Sequence, residues 1–370
     1  MAQRKAWYRS WPIDLALRLL YGCGFVHLVG MCRRWFGRKR LIVLLYHRLA
    51  PAGGDTAIGA LEFDDPVPVE RFDRHLKILR WFGDPESLDR AFDRLHDPHD
   101  RARTLISVTF DYGYRDNYTL GRPVWQRRCV PVTLFPTIAA VDRGEWLWWD
   151  ELQELVSGTE LDEQRVRPLV ESLDEIAPGS VWNCESSRQA DRATFARFLF
   201  ERMVDLPLEL REAVLDELAK CFNKSRPSRP AAVPTDRDET HSAGRLYINW
   251  KELNEMVAEG VQIGGHTIRH PRLPREPIAV AESEIASCRM LLEETVGKPV
   301  SSFAFPGGFY DTRELNLLRQ AGYRTAVTVE KGVNYPETDP FRLRRISLSW
   351  DEPHHLAFKL AFGDWLFPSC

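Results

Sequence analysis

An acidic residue and a glycine end an apolar run in the first third of the chain. Residues 105–110 are apolar and rich in β-branched side chains, which predicts a buried strand, and Asp111, Tyr112 and Gly113 follow directly. A carboxylate at the end of such a strand is poorly hydrated and rigidly held, and parallel-strand folds build their sites at the carboxyl ends of the strands. Asp close to Gly is also common in ordinary turns, so Asp111 alone leaves both interpretations open.

Two further segments place chemically useful residues after short apolar runs. Residues 261–265 predict a strand with a glycine exit, and His266 and His270 follow it. Imidazoles four residues apart lie on one face of a helical turn and can share one metal ion, although a pair of surface histidines is the alternative. Residues 302–305 predict a strand that runs into the Pro-Gly-Gly turn at 306–308.

Taken in this order, the three segments resemble the motifs of the polysaccharide deacetylases, the family with the NodB-homology domain (carbohydrate esterase family four). The family pattern TFDDG corresponds to residues 109–113, H-[ST]-x-x-H to residues 266–270, and a strand with a Pro-x-Gly turn to residues 305–308. The resemblance covers residues 41–350 with an unmatched stretch inside. It implies an α/β fold, a distorted (β/α)7-type barrel, and removal of N-acetyl groups from a polysaccharide or lipid-linked oligosaccharide.

The resemblance also implies a role for each matched residue. Asp111 is expected to be the catalytic base, and His266 and His270 are expected to bind a divalent metal ion, zinc by their ligand type. Other residues at the strand ends are expected to contact the N-acetylated glycan: His47, Tyr112, Phe305, Pro306 and Gly307. The histidine that protonates the leaving amine in family members has no clear counterpart, and His47, His354 and His355 are its candidates.

One position departs from the family pattern. Where the family has a second Asp that binds the metal, this chain has Tyr112, whose phenol has a pKa of about 10 and is a poor zinc ligand at neutral pH. Three outcomes stay open: Asp111 binds the metal itself, Asp116 or Asp150 reaches in from a loop, or the metal is lost. The chain is therefore predicted to be an N-deacetylase. The alternative is a catalytically impaired relative that binds a glycan or a partner.

Strands that alternate with helices must position these residues. The predicted strands cover residues 41–46, 105–110, 131–136, 261–263, 302–305, 325–329 and 343–348. The alternation is typical of a parallel α/β barrel, which builds its sites at the carboxyl ends of the strands.

Residues 151–245 interrupt this alternation and predict a helical insertion beside the active face. Helical spacing is visible at residues 152–156, 195–204 and 208–222. Just before the insertion, the cluster Trp146, Trp148 and Trp149 predicts either a stacking surface for sugar rings or a loop fixed onto the core.

The first 40 residues differ from the rest in charge. They hold nine Lys or Arg against one acidic residue, Asp14, in a chain of formal net charge −3. Residues 15–31 are mostly apolar but shorter than the roughly 20 residues of a spanning helix, and no cleavable signal peptide is evident. They predict a basic amphipathic helix on an anionic membrane surface or, alternatively, a helix packed on the barrel. The expected membrane anchors are Trp7, Trp11, Trp35 and Phe36.

The composition argues against two kinds of site and against a nucleic-acid partner. Seven scattered cysteines without a CxxC pair argue against a disulfide framework and against a thiolate zinc site, and the net charge of −3 gives no nucleic-acid signature. We therefore expect a cytoplasmic protein, peripheral at the membrane. Its expected parts are a basic segment (1–40), a barrel (41–350) that includes the insertion at 151–245, and a C-terminal tail (351–370).

Overall fold

The structure, a computed structural model, describes residues 11–53, 66–159, 161, 163–178, 192–226, 245–349 and 351–367. Each of the seven predicted strands is present, and three two-residue strands accompany them. In chain order the strands are β1 (Arg40–Tyr46), β2 (Leu49–Ala50), β3 (Val67–Pro68), β4 (Asp84–Pro85), β5 (Thr104–Tyr112), β6 (Val132–Pro136), β7 (Gln262–Ile263), β8 (Ser302–Ala304), β9 (Thr325–Lys331) and β10 (Leu343–Ser347).

Seven parallel strands form a ring in chain order. β1 pairs with β5, β5 with β6 and β6 with β7, while β8 pairs with β9, β9 with β10, and β10 with β1. The ring closes between β7 and β8, where Gly265 N donates to Ser302 O at 2.9 Å and Ala304 N donates to Gly265 O at 2.8 Å. The predicted seven-stranded barrel is confirmed, and all seven carboxyl ends therefore meet at one rim.

Helices surround the barrel and form the insertion. They are α1 (Trp11–Gly22), α2 (Phe25–Phe36), α3 (Val69–Phe82), α4 (Leu88–His96), α5 (Arg122–Arg128), α6 (Ile138–Arg143), α7 (Trp148–Val156), α8 (Glu163–Ile176), α9 (Arg192–Met203), α10 (Leu208–Cys221), α11 (Trp250–Ala258), α12 (Ile278–Val296), α13 (Thr312–Gln320) and α14 (Pro353–Leu366). α11 begins with a capping box: the Asn249 side chain accepts from Glu252 N, and the Glu252 side chain accepts from Asn249 N.

The insertion contains a helix that the sequence did not predict. α8 has Pro168 inside it, which interrupts the helical pattern because Pro removes one backbone donor. Buried leucines of α7 to α10, among them Leu152, Leu169, Leu199 and Leu215, form an apolar core of their own. A polar linker is expected at residues 226–240, and of these, residues 227–240 lie outside the described residues. The predicted domain limits stay predictions.

The N-terminal segment forms two helices, so the prediction of a single amphipathic helix is wrong. Gly24, with φ of 81°, separates α1 from α2, and the two helices are bent by 66°. In the part of the chain that the structure describes, no single helix is long and apolar enough to cross a membrane, although this bent pair passes the same test together. Trp7 lies outside the described residues.

The C-terminal segment, predicted as a tail, contains α14, which binds the N-terminal helices through side-chain contacts. His354 Nε2 and His355 Nε2 each lie 2.8 Å from Asp14 Oδ1 in α1. Arg33 of α2 and Arg40 of β1 both donate to the carboxylate of Asp364. The two ends of the described chain therefore pack together on the barrel.

Candidate active site

The carboxylate of Asp111 is buried at the rim end of β5 and bound by an arginine. Arg345 Nη1 and Nη2 donate to its two oxygens at 2.8 Å each. The side chain of Asp111 is 4% exposed and that of Arg345 is 1% exposed. Arg345 is itself held because its Nε donates to Thr328 O at 2.7 Å. Burial alone would raise the pKa of Asp111, but the charge and hydrogen bonds of Arg345, together with the neighbouring imidazoles of His266 and His47, lower that pKa below its ordinary value. Asp111 is therefore an oriented carboxylate that is ionised at neutral pH.

Arg345 was not among the site residues predicted from the sequence. A partial signal was present, since Arg345 lies in a strand between the apolar residues Leu343 and Ile346, which are buried. A buried guanidinium needs an acidic partner, and a carboxylate at another strand end could have been sought for it.

His266 and His270 lie in a loop after β7, so the prediction that they share a helical turn is wrong. Thr267 and His270 have φ of 64° and 56°, values that a right-handed helical turn does not contain. The ring centroids are nevertheless 4.9 Å apart. Glu284 of α12 fixes the loop, because its carboxylate accepts two backbone N–H groups of the loop at 2.8 and 2.9 Å.

Each of these imidazoles keeps a buried Nε2 atom with no hydrogen-bond partner among the described residues. In His266 the tautomer is defined: Nδ1 lies 2.8 Å from the carbonyl oxygen of Ala304 and must carry the ring proton, which leaves the lone pair on Nε2. Burial lowers the pKa of His266, and it lowers that of His270 well below the usual value, so both rings are neutral at pH 7. Neutral imidazole nitrogens of this kind are suitable ligands for a divalent metal ion.

Tyr112 occupies the place where a third ligand is expected. Its ring centroid lies 5.3 Å from the rings of both His266 and His270. Its φ is 75°, a left-handed conformation that Asp and Asn adopt more readily than a bulky residue does. Among the residues that the structure describes, no third His, Cys, Asp or Glu offers a ligand atom close to both imidazoles. The donor set thus fits a metal ion with two of the three ligands usual for catalytic zinc.

The two carboxylates considered as replacements are engaged elsewhere. Asp116 accepts from Leu49 N at 3.0 Å and from Arg48 Nε at 3.3 Å. Asp150 accepts from the hydroxyls of Tyr114, at 2.8 Å, and Tyr247. The expectation that one of them completes the metal site is therefore not met by this structure.

His47 lies at this site, whereas His354 and His355 bind Asp14. The His47 ring follows β1 and lies 4.9 Å from the ring of Tyr112. It also interacts electrostatically with Asp111 and with both imidazoles.

The predicted substrate residues of the third segment lie at the end of β8. The Phe305 ring is fully buried and stacks on Tyr310 with centroids 4.7 Å apart. Pro306 to Gly308 form a tight turn in which Gly307 and Gly308 have φ of 59° and 72°. Their contact with substrate stays a prediction, as does that of His47 and Tyr112.

Two of the three clustered tryptophans fix the insertion to the site. Trp149 packs on Tyr112 and His270, with ring centroids 4.9 and 4.7 Å apart, and its Nε1 donates to Tyr114 OH at 2.9 Å. Trp148 is buried and stacks on Phe200 at 4.9 Å. The half-buried Trp146 lines, together with Trp148, a cavity of about 310 Å³ beside the site.

Comparisons with known proteins agree with the motif analysis. The family model described as polysaccharide deacetylase matches residues 229–326, a segment that holds both histidines but not Asp111. The "Putative polysaccharide deacetylase YxkH" of Bacillus subtilis is 25% identical over 103 residues. The match spans 28% of this chain and only 37% of that relative.

Solved structures share the fold. The Streptococcus pyogenes deacetylase PplD, determined in complex with acetate, has a TM-score of 0.53 and 14% identity, with 86% of this chain and 97% of that chain covered. IcaB from Ammonifex degensii has a TM-score of 0.53 and 18% identity, with 87% and 97% covered. The predicted resemblance and the barrel fold are confirmed.

Proposed function

We propose that this chain, which is similar to the polysaccharide deacetylases in its motifs and in its fold, is a hydrolase that removes N-acetyl groups from a polysaccharide or a lipid-linked oligosaccharide. The observation that carries this proposal is the arrangement at the barrel rim. There the ionised carboxylate of Asp111, oriented by Arg345, shares one site with two buried imidazole nitrogens that have no partner among the described residues.

Asp111 is the general base in this proposal. A carboxylate offers about four lone pairs, and the two hydrogen bonds from Arg345 occupy one on each oxygen. A remaining lone pair accepts a proton from the water that attacks the acetyl carbonyl. Arg345 keeps the carboxylate oriented during this transfer, because both its Nη atoms are already engaged.

His266 and His270 would hold a divalent metal ion, zinc by ligand type, through their Nε2 atoms. When bound, the ion supplies Lewis acidity to the acetyl carbonyl and lowers the pKa of a water molecule. Because Tyr112 replaces the expected carboxylate, two imidazoles bind the ion more weakly than three ligands do.

His47 donates a proton to the leaving amine in this proposal. Its ring lies 4.9 Å from that of Tyr112 and interacts electrostatically with Asp111, so it belongs to the same rim. Backbone N–H groups near the strand ends would stabilise the oxyanion.

A second candidate function is a catalytically impaired relative that binds a glycan or a partner enzyme. It is favoured by Tyr112, whose ring packs against both imidazoles where a carboxylate ligand is expected. Such a protein would bind N-acetylated oligosaccharide without releasing acetate.

We also propose that the N-terminal helices rest on an anionic membrane surface at its cytoplasmic side. Trp11, Trp35 and Phe36 are 78%, 65% and 89% exposed, whereas Val26 and Gly30 of α2 are buried against the barrel. Both alternatives from the sequence thus find support: the inner face packs on the protein, and the outer face exposes large apolar side chains.

Acetate release from N-acetylated oligosaccharides, measured with added zinc, tests the enzymatic proposal. The wild type is expected to release acetate and Asp111→Asn to release none. Asp174→Asn, an equivalent change at an exposed position of α8, is the control and should behave as wild type. Oligosaccharide binding without acetate release by the wild type would favour the second candidate.

A further inference from the structure

A buried arginine without a contacting carboxylate lies between the insertion and the barrel rim. Arg211 of α10 is 2% exposed. Its Nη1 donates to His270 O at 3.2 Å and its Nη2 to Leu206 O at 3.0 Å, while Nε has no hydrogen-bond partner among the described residues. Glu276 and Glu212 act on this guanidinium electrostatically, but within the described part of the chain neither forms an ion pair with it.

The charge of Arg211 is retained and its position is fixed. Burial lowers the pKa of the guanidinium to about 10, so it remains a cation at neutral pH. It lies over the ring of Trp148, 4.7 Å from the centroid. A buried cation is costly without a counter-charge, and this one cannot turn towards solvent without losing its two hydrogen bonds.

Arg211 lines the cavity of about 310 Å³ that also touches Trp146 and Trp148. Three other arginines line it, and each is already neutralised. Arg226 pairs with Glu151, Glu212 and Asp216, Arg143 pairs with Glu145, and Arg269 pairs with Glu284. Among these cavity arginines, Arg211 is the cation left to neutralise a bound anion.

We propose that this cavity binds a phosphate group, with Arg211 as the buried anchor. Arg211 also binds the backbone carbonyl of His270, so the cavity adjoins the imidazole site. Resting on the proposed function, the phosphate belongs to the glycan substrate, which is a phosphorylated or polyprenyl-phosphate-linked N-acetyl sugar. Guanidinium groups recognise phosphate through paired, charge-assisted hydrogen bonds.

Calorimetric titration with inorganic phosphate at constant ionic strength tests the site. The wild type should bind phosphate saturably, and Arg211→Gln should bind it at least about tenfold more weakly, since a charge-assisted hydrogen bond is lost. Arg167→Gln, the same change at an exposed position of α8, should bind as wild type does. Absence of saturable phosphate binding by the wild type, or equal binding by Arg211→Gln, overturns the proposal.

Two measurements protect the test against a misfolded variant. Sulfate should compete with phosphate on the wild type, whereas chloride at equal ionic strength should not, and competition by chloride overturns the site. Arg211→Lys keeps the charge and should retain part of the affinity.

The assignment to substrate has its own test. An N-acetyl sugar 1-phosphate should bind the wild type more tightly than the free sugar, and Arg211→Gln should lose that difference. Equal affinities overturn the assignment to substrate. Because binding is measured rather than turnover, absence of deacetylation would not alter either result.

Discussion

Arg345 and Asp111 meet across the barrel interior, although their strands β10 and β5 are separated by β1. Both Nη atoms lie 2.8 Å from the carboxylate oxygens, and both side chains are buried. The pair thus joins two non-adjacent strands and orients the proposed base at the same time. Its disruption should therefore affect both the stability of the barrel and the chemistry.

Removal of Arg345 alone should lower the free energy of unfolding more than removal of both members of the pair. Arg345→Met leaves the buried carboxylate of Asp111 unpaired and should lower the free energy of unfolding by about 3–5 kcal/mol. The double variant Asp111→Asn/Arg345→Met should recover part of that loss. Urea denaturation of the single and double variants measures it. Strict additivity of the two single effects would contradict the ion pair.

The pH dependence of stability should report the same carboxylate. Because the folded state lowers the pKa of Asp111, ionised Asp111 stabilises the fold above the unfolded-state value of about 3.9. That contribution is lost as the pH falls through the lowered pKa. Melting temperature should therefore decline below about pH 4 more steeply in wild type than in Asp111→Asn. Parallel curves of melting temperature against pH for the two proteins would exclude Asp111 as the origin of the decline.

The contacts of Asp14 should stabilise the packing of α1 against α14. The hydrogen bond with His354 lowers the pKa of Asp14 to about 2. Asp14→Asn should therefore raise hydrogen exchange in α1 and leave α3 unchanged, while Arg18→Gln, which removes an exposed partner of Asp14, should have little effect. Unchanged exchange in α1 would show that packing alone holds the helix.

The same cluster is a poor metal site despite its composition. Asp14, His354 and His355 lie close enough to share an ion. However, His355 Nδ1 accepts a hydrogen bond from Glu352 N at 3.1 Å, so the neutral ring carries its proton on Nε2, the atom that faces Asp14. His355 Nε2 is thus a donor to the carboxylate rather than a ligand.

Membrane contact should depend on the exposed aromatic residues of α2. Trp35→Ser combined with Phe36→Ser should reduce sedimentation with vesicles that contain anionic lipid, because both side chains are exposed on a basic segment. Ile278→Ser, at an exposed apolar position of α12, is the control and should sediment as wild type does. Equal sedimentation of all three proteins would argue for a helix pair that only packs on the barrel.

The sequence predicted the elements better than their tertiary contacts. β5, β6 and β8 lie in apolar runs that end at Asp111, Pro136 and Pro306, so the positions of these strands could be predicted. Asp111, His266 and His270 were expected at one rim, since parallel strands share their carboxyl ends, and the structure gathers them there. The local pattern of β10 indicates a buried arginine, but its partner Asp111 is reached by a contact across β1, which the local pattern does not identify.

Local conformations that depend on neighbouring contacts were predicted wrongly or missed. The spacing of His266 and His270 suggested a helical turn, but Glu284 and the start of α6 hold that segment as a loop. The apolar composition continues across Gly24 and concealed the break between α1 and α2. Pro168 hid α8 in the same way, because a proline lowers the expectation of a helix.

Zinc affinity tests the central claim, that the rim carries a metal site which lacks one ligand. Tyr112→Asp supplies a carboxylate at a left-handed position that Asp tolerates, and Tyr112→Asn is the uncharged control of the same shape. In a competition titration with a chelator, Tyr112→Asp should bind zinc at least about tenfold more tightly than wild type, and Tyr112→Asn should not. A folded Tyr112→Asp variant with unchanged zinc affinity would contradict the account.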